Sequence, residues 1–194
     1  MKLYLVRHGE SETNLKKIHG GCLDVPLTEQ GKADAKSAGY LLQDIQFDKV
    51  YTSDLIRAIQ TADIALPEYE KEQTPLLREI CLGELEGRKP ADCLEQYGEH
   101  YLIQKSNRNF RDFGGENYDA HIKRSEEFLE MIASEEDTNV AVFCHEGTIK
   151  CSLDIVLQIV HWVNIKNILC SNGSVTIFDY KNGHWRLCQW NLTE

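Results

Sequence analysis

Short, nearly continuous apolar runs stand at "KLYLVR" (2–7), "KVYTS" (49–53) and "NVAVFC" (139–144). Runs of this length, bounded by polar or turn residues, predict strands buried on both faces. Between them lie longer stretches with helical spacing. Residues 29–43 follow Thr28, a good N-cap, and "LIRAIQTADIAL" follows Ser53 and Asp54, either of which can cap it. "NYDAHIKRSEEFLEMIASEE" (117–136) sets Ile122, Phe128, Leu129 and Ile132 near one face, and residues 147–160 read as a further helix. The chain closes with "SVTIFDYKNGHWRLCQWN", two alternating runs about a K-N-G turn, which predicts a hairpin.

Strand–helix alternation of this kind predicts an α/β fold in three layers, with a mainly parallel central sheet and helices on both faces. Residues 90–118 break the pattern, having aromatics but little clean periodicity. They read as a helical insertion, a small cap over the sheet edge spanning about 88–118. "GGCLDVPLT" (20–28) is a loop by its Gly and Pro content. With no repeat or low-complexity linker, residues 1–194 read as one domain.

Composition narrows the field. The chain has 194 residues, 42% hydrophobic, which suits a globular core. Its net charge of −10 repels nucleic acid and acidic membrane surfaces, so neither is expected as a partner. No apolar run reaches a membrane span and no signal peptide is recognisable, which predicts a cytoplasmic protein. The seven Cys are odd in number, widely spaced and free of C-x-x-C, and are expected to be reduced thiols. An acidic protein that binds phosphate must gather its cations in one pocket.

Such a pocket can be placed. Ligands of open α/β sheets bind beyond the carboxyl ends of the strands. His8 stands just past the first strand, His145 just past a later one, and Arg57 in the first turn of the helix after the second. Any one of them alone is more simply a packed or solvated side chain; their joint placement changes that reading. Arg7 and Arg57 offer guanidinium forks that match phosphate oxygens. A neutral imidazole beside them can attack phosphorus and carry the phosphoryl group. A leaving alcohol then needs a proton, and "LLREICLGELEG" (76–87), after a short strand, supplies Glu79, Glu84 and Glu86. Spacing does not choose among the three. The stretch "HEGTI" (145–149) lacks the second His of a zinc motif, and no Walker loop occurs, so no metal and no cofactor are expected.

The motifs "LVRHGESETN", "LDVPLTEQGKADA", "VYTSDLIRAIQTA", "LREICLGELEG", "GGEN" and "VFCHEGTIK" together resemble the histidine phosphatase superfamily, in the branch of the cofactor-dependent phosphoglycerate mutases. The resemblance spans nearly the whole chain. It implies that His8 is the nucleophile, that Arg7, Arg57 and His145 complete the phosphate pocket, and that Glu79 is the proton donor. It further implies substrate contacts from Asn14, Gly20, Gly21, Glu146, Gly147 and Thr148. One departure stands out: the family commonly has Gly after its second His, and here that residue is Glu146, a carboxylate that repels phosphate unless it points away. The resembled mutases carry an insertion that this chain lacks, so hydrolysis of a small phosphorylated metabolite is expected first. A mutase stands second and a catalytically inactive binding module third. Arg88, Lys89, Arg108 and Arg111 are candidates for a second anionic group of the substrate. The C-terminal hairpin offers an edge through which a homodimer can form.

Overall fold

The structure, a computed structural model, describes residues 1–135, 138–159 and 165–194. Its centre is a sheet of six strands: β1 (Lys2–Arg7), β2 (Lys49–Ser53), β3 (Glu72–Thr74), β4 (Asn139–Cys144), β5 (Val175–Lys181) and β6 (His184–Leu192). The spatial order is β3-β2-β4-β1-β5-β6. The first four in that order run parallel, and β5 and β6 form the antiparallel hairpin at one edge.

Alternation along each strand explains the layers. Leu3 and Leu5 of β1 join Val140 and Val142 of β4 on one face. That face is covered by α5 (Tyr118–Ala133) and α6 (Glu146–Leu157), through Phe128, Leu129, Ile132, Ile149 and Leu153. Tyr4 and Val6 point the other way with Ala141 and Phe143, against α2 (Glu29–Leu42) and α3 (Ile56–Ala65). Small residues let these two helices sit close to the sheet: Ala38 on α2, Ala62 and Ala65 on α3. Thr28 caps α2 as expected, its hydroxyl accepting from the Gly31 N–H at 3.1 Å.

The register places the site. Arg7 of β1 lies opposite Cys144 of β4, and Thr52 of β2 opposite Phe143. Three neighbouring strands therefore end side by side, and the residues that follow them meet.

Several expectations are corrected. The helix after β2 is capped by neither Ser53 nor Asp54; its N-cap is Leu55. Ser53 and Asp54 are used elsewhere, as described below. A short helix α1 (Glu12–Lys16) follows β1 where the sequence showed no period. The fifth helix stops at Ala133, short of the expected end, and the sixth begins at Glu146 and ends at Leu157. Residue 160 of that expected helix, and His161, lie outside the described residues. The insertion contains α4 (Pro90–Asn107), kinked at Gly98, whose backbone has φ 56° and ψ −136°. Its Cys93, Tyr101, Phe110 and Phe113 form a separate apolar cluster with Ile80, Leu82 and Leu85 of the preceding loop. Finally, Cys22 and Cys81 form a disulfide with Cα atoms 4.8 Å apart, against the expectation of reduced thiols. Fifty-nine positions separate the two in the chain, so spacing carried no sign of the pair.

Candidate active site

His8 and His145 follow the last residues of β1 and β4, and their rings lie 5.1 Å apart. His8 is 5% exposed. Its Nδ1 is 2.7 Å from the carbonyl oxygen of Gly9. A carbonyl only accepts, so Nδ1 carries the proton and Nε2 keeps its lone pair. Burial, then the charges of Arg57 and Arg7, hold the ring well below the ordinary histidine pKa of 6.5. His8 is thus a neutral imidazole with a fixed tautomer. Gly9 is required for a reason unrelated to any ligand. A Cβ there would overlap the carbonyl of Gly31, where the loop after β1 crosses the start of α2. Its backbone N–H donates to Thr61 Oγ1 at 3.1 Å.

His145 is fully buried. Its Nε2 lies 2.9 Å from Ser53 Oγ. That hydroxyl accepts from the Leu55 N–H at 3.3 Å, so its own proton can go to Nε2, leaving the ring proton on Nδ1. Nδ1 has no hydrogen-bond partner among the described residues. Burial and then Arg57 lower the pKa of this ring well below the usual value as well.

Arg57 is 2% exposed. It donates through Nη1 to Leu23 O and through Nη2 to Gly21 O, both at 2.8 Å, which pins the loop at residues 20–24 to α3. Arg7 donates through Nη1 to Cys170 O and pairs with Glu146 at 3.2 Å. Its buried Nε is without a partner among the described residues. Asn14 accepts from the Ser11 backbone N–H at 3.0 Å, which fixes its amide.

Arg7, His8, Asn14, Arg57, Glu79 and Glu146 line a cavity of about 160 Å³ with Gly20 and Gly21, whereas His145, its ring 5.1 Å from that of His8, is not among the lining residues. The cavity is well below the size of ordinary ligand pockets and suits one compact group such as a phosphoryl. A larger hollow of about 710 Å³ at Lys36, Tyr40 and Tyr69 gathers no His, Arg or Cys.

Of the three candidate carboxylates, only Glu79 lines the small cavity. Glu84 is exposed. Glu86 accepts from the N–H groups of Cys22 at 2.8 Å and Leu82 at 2.9 Å. Glu79 accepts from Ile80 N at 2.9 Å and Gly147 N at 3.0 Å, and pairs with Arg108 at 3.1 Å. Burial alone would raise its pKa. Arg108, His121 and the two N–H groups outweigh that and hold the carboxyl at about 2.

Glu146 lines the cavity too, but its charge is answered. Its second oxygen receives Lys150 Nζ at 2.6 Å, and that lysine is buried, its side chain 1% exposed. The repulsion expected of this carboxylate is therefore offset by two cations. Gly147 and Thr148 do not line the cavity. Gly147 serves Glu79, and the Thr148 hydroxyl donates to Arg78 O at 3.0 Å beside buried His121. Arg88 stacks on Tyr97 at 5.3 Å, whereas Lys89 and Arg111 are exposed on the cap.

Sequence reasoning missed the supports. Arg124 of α5 pairs with Glu116 at 3.0 Å and donates to the carbonyls of Leu76, Arg78 and Glu79, which fixes the Glu79 loop. Asp54 holds the same loop through Arg78, at 2.7 and 2.6 Å. Asn172 donates to His8 O at 2.9 Å. Nothing in the local sequence marks these residues, because each acts on backbone from a distant segment.

Comparison with known proteins adds a family. The model described as "Histidine phosphatase superfamily (branch 1)" matches residues 3–193. A broad-specificity phosphatase of Saccharomyces cerevisiae is 31% identical over 195 residues, covering 93% of this chain and 80% of that protein. A 2,3-bisphosphoglycerate-dependent phosphoglycerate mutase of Lachnoclostridium phytofermentans is 44% identical over 109 residues, covering 53% of this chain but 44% of the mutase. The chain thus spans less than half of that mutase's length. The crystal structure of the α-ribazole phosphatase from Shigella flexneri superposes with a TM-score of 0.87 at 27% identity, over 99% of this chain and 96% of that one.

Proposed function

The chain belongs to branch 1 of the histidine phosphatase superfamily, and from that premise we propose that it is a phosphatase hydrolysing a small phosphomonoester through a phosphohistidine on His8. The observation that carries the reading is the state of His8: neutral, held through Nδ1, and set with two guanidiniums around a cavity of phosphoryl size.

In the first step His8 Nε2 attacks phosphorus in line, and the P–O bond to the leaving alcohol breaks. Arg7, Arg57 and the Nδ1–H of His145 take up the charge spread over the equatorial oxygens, the main demand of a phosphoryl transition state. Cations built from the chain meet that demand, so the proposed chemistry calls for no metal. The departing oxygen takes a proton from Glu79. A bound phosphoryl dianion disfavours a carboxylate beside it, which moves Glu79 from the ion pair seen here toward the acid form. In the second step water attacks the phosphohistidine, Glu79 accepts the proton of that water, and inorganic phosphate leaves with His8 restored.

A mutase is the second reading, supported by the 44% identity to the bacterial mutase over 109 residues. The cavity is fit for either outcome, and access of water decides between them. We rank hydrolysis first because the match to the Saccharomyces cerevisiae phosphatase runs over 93% of this chain, against 53% for that mutase.

The test is release of inorganic phosphate from p-nitrophenyl phosphate in EDTA. His8→Ala should lower kcat/KM by at least about 10⁴-fold. A His8→Ala enzyme with full activity would overturn the covalent route, and rapid formation of 2-phosphoglycerate from the 3-isomer without phosphate release would promote the mutase.

A further inference from the structure

The cavity beside His8 sets two carboxylates, Glu79 and Glu146, against two guanidiniums, Arg7 and Arg57, so the charges of its lining cancel. A site for a phosphoryl dianion gains from an excess of positive charge, and this one forgoes it. Glu79 has a proton to deliver in the reaction proposed above. Glu146 has no step of its own, yet its Oε2 lies 3.2 Å from Arg7 Nη1. Arg7 is therefore engaged before any ligand arrives. Its Nη1 serves Glu146 and Cys170 O, and its buried Nε has no partner among the described residues.

Glu146 is held where it stands. It opens α6 directly after His145, so the helix fixes its backbone. Its other oxygen takes Lys150 Nζ at 2.6 Å, one turn further along. The Lys150 side chain is 1% exposed, and its Nζ also donates to Lys166 O at 3.0 Å. Turning the carboxylate out to solvent would take Glu146 away from a buried ammonium, which is costly. The side chain of Glu146 is 35% exposed, so its charge is felt in the cavity through partial screening by water.

We propose that Glu146 is a built-in competitor for Arg7: a positioning residue, kept at the cavity by Lys150, that weakens the hold of the site on phosphate, so that inorganic phosphate leaves after turnover instead of accumulating on the enzyme. The inference rests on the phosphatase reading above. A dianion that enters the cavity must draw Arg7 away from Glu146 and then sit beside the carboxylate. That cost falls alike on the bound ester and on the phosphate product, so it raises KM and the inhibition constant of phosphate together without entering the chemical step. A purely structural reading of Glu146 also exists, because an acid in the first turn favours a helix. The two readings part on phosphate affinity. Loss of a structural acid leaves it unchanged or poorer, whereas loss of a competitor improves it.

Inorganic phosphate is the probe. Glu146→Gln removes the charge and keeps an oxygen for Lys150. Calorimetric titration with phosphate, and competitive inhibition of p-nitrophenyl phosphate hydrolysis by phosphate, should both show binding tighter than wild type by at least about fivefold, the modest end for a like charge at a partly exposed site. KM should fall with it, and kcat should not rise. Glu146→Ala, which withdraws the hydrogen bond as well, should tighten phosphate in the same direction. A damaged fold loses affinity for phosphate and does not gain it, so a poorly folded variant cannot imitate the expected result. Unchanged or weaker phosphate binding in both variants would overturn the inference. Turnover of p-nitrophenyl phosphate without that tightening removes this inference alone. No turnover of any ester removes the phosphatase reading, and tightening seen by calorimetry would then still support the competition between Glu146 and phosphate for Arg7.

Discussion

His8 and His145 hang from the ends of two hydrogen-bonded strands, whereas Glu79 hangs from an irregular loop held in place by side chains from elsewhere. On the first side, position follows from the sheet. The register of β1 and β4 sets the two rings together, and one carbonyl and one hydroxyl fix their faces. On the second side, position is assembled from Arg124, Glu116, the Asp54–Arg78 pair and the Cys22–Cys81 disulfide. The contrast matches the chemistry each side is asked to do. A nucleophile must meet phosphorus in line, so rigidity serves it. A proton donor must pass between charged and neutral forms, and here it is held by an ion pair with Arg108 and two backbone N–H groups instead of by the sheet.

The sharpest way to break this comparison is Glu79→Gln. If the two sides divide the labour as described, loss of the acid should cost about 10²–10⁴-fold in kcat with an alkyl phosphate, whose leaving alkoxide needs the proton. With p-nitrophenyl phosphate the loss should be much smaller, because that leaving group departs without one. Removal of His8 should not distinguish the two esters. Steady-state rates of both variants on both esters decide the matter. An equal loss for Glu79→Gln on both would make Glu79 part of the phosphate-holding side.

The same division governs what could be read from the sequence. Apolar runs end where strands end, so "LVRH" and "VFCH" announced two site residues before any contact was known. Arg57 was legible because it opens the helix after the second such run, at residues 49–53. The β3-β2-β4-β1 order that brings the three together is a property of the whole sheet and is written in no single stretch. Glu79 was one of three carboxylates until family resemblance chose it, since a loop broken by the short 3₁₀ turns Pro75–Leu77 and Gly83–Leu85 has no period to count. Ser53 was misread as a helix cap because a short hydroxyl before a helix is usually one; here it also serves His145. Arg108 was one basic residue among four on the cap, and only the turn at the end of the kinked α4 aims it at the acid.

A second prediction, smaller in effect, concerns the covalent tie on the Glu79 side. Closing a loop across 59 positions is worth about 4 kcal/mol by the chain-entropy relation. Cys22→Ser should lose stability of that order in urea unfolding, and wild type treated with dithiothreitol should match it. The crosslink joins the loop that Arg57 grips to the loop that carries Glu79. A wild-type midpoint that does not move on reduction would show that the two thiols are not joined in solution, and would leave Arg124 and Arg78 as the supports of that loop.

The finest test separates the sides by pH. His8, His121 and His145 are all held neutral, their pKa values lowered first of all by burial, that of His121 to about 3. For such groups the stabilisation is complete above the ordinary value of 6.5 and is lost as pH falls below it, because the unfolded chain binds protons that the folded one refuses. Each neutral ring should cost about 1.4 kcal/mol per pH unit in that window. Glu79, depressed from 4.5 to about 2, behaves in the same direction but in a lower window: its contribution is present above 4.5 and lost between 4.5 and about 2. His121 is the ring to alter. It is fully buried, bonds Thr148 Oγ1 at 3.2 Å, faces Glu79, Arg124 and Arg108, and lies outside the small cavity. His121→Gln should flatten the fall of unfolding free energy between pH 6.5 and 5 by about 1.4 kcal/mol per unit, whereas Glu79→Gln should leave that window untouched and act only below 4.5. An unchanged slope in His121→Gln would mean that this ring takes up a proton in the folded protein beside Glu79. The acid side would then hold a histidine–carboxylate pair as well as the arginine.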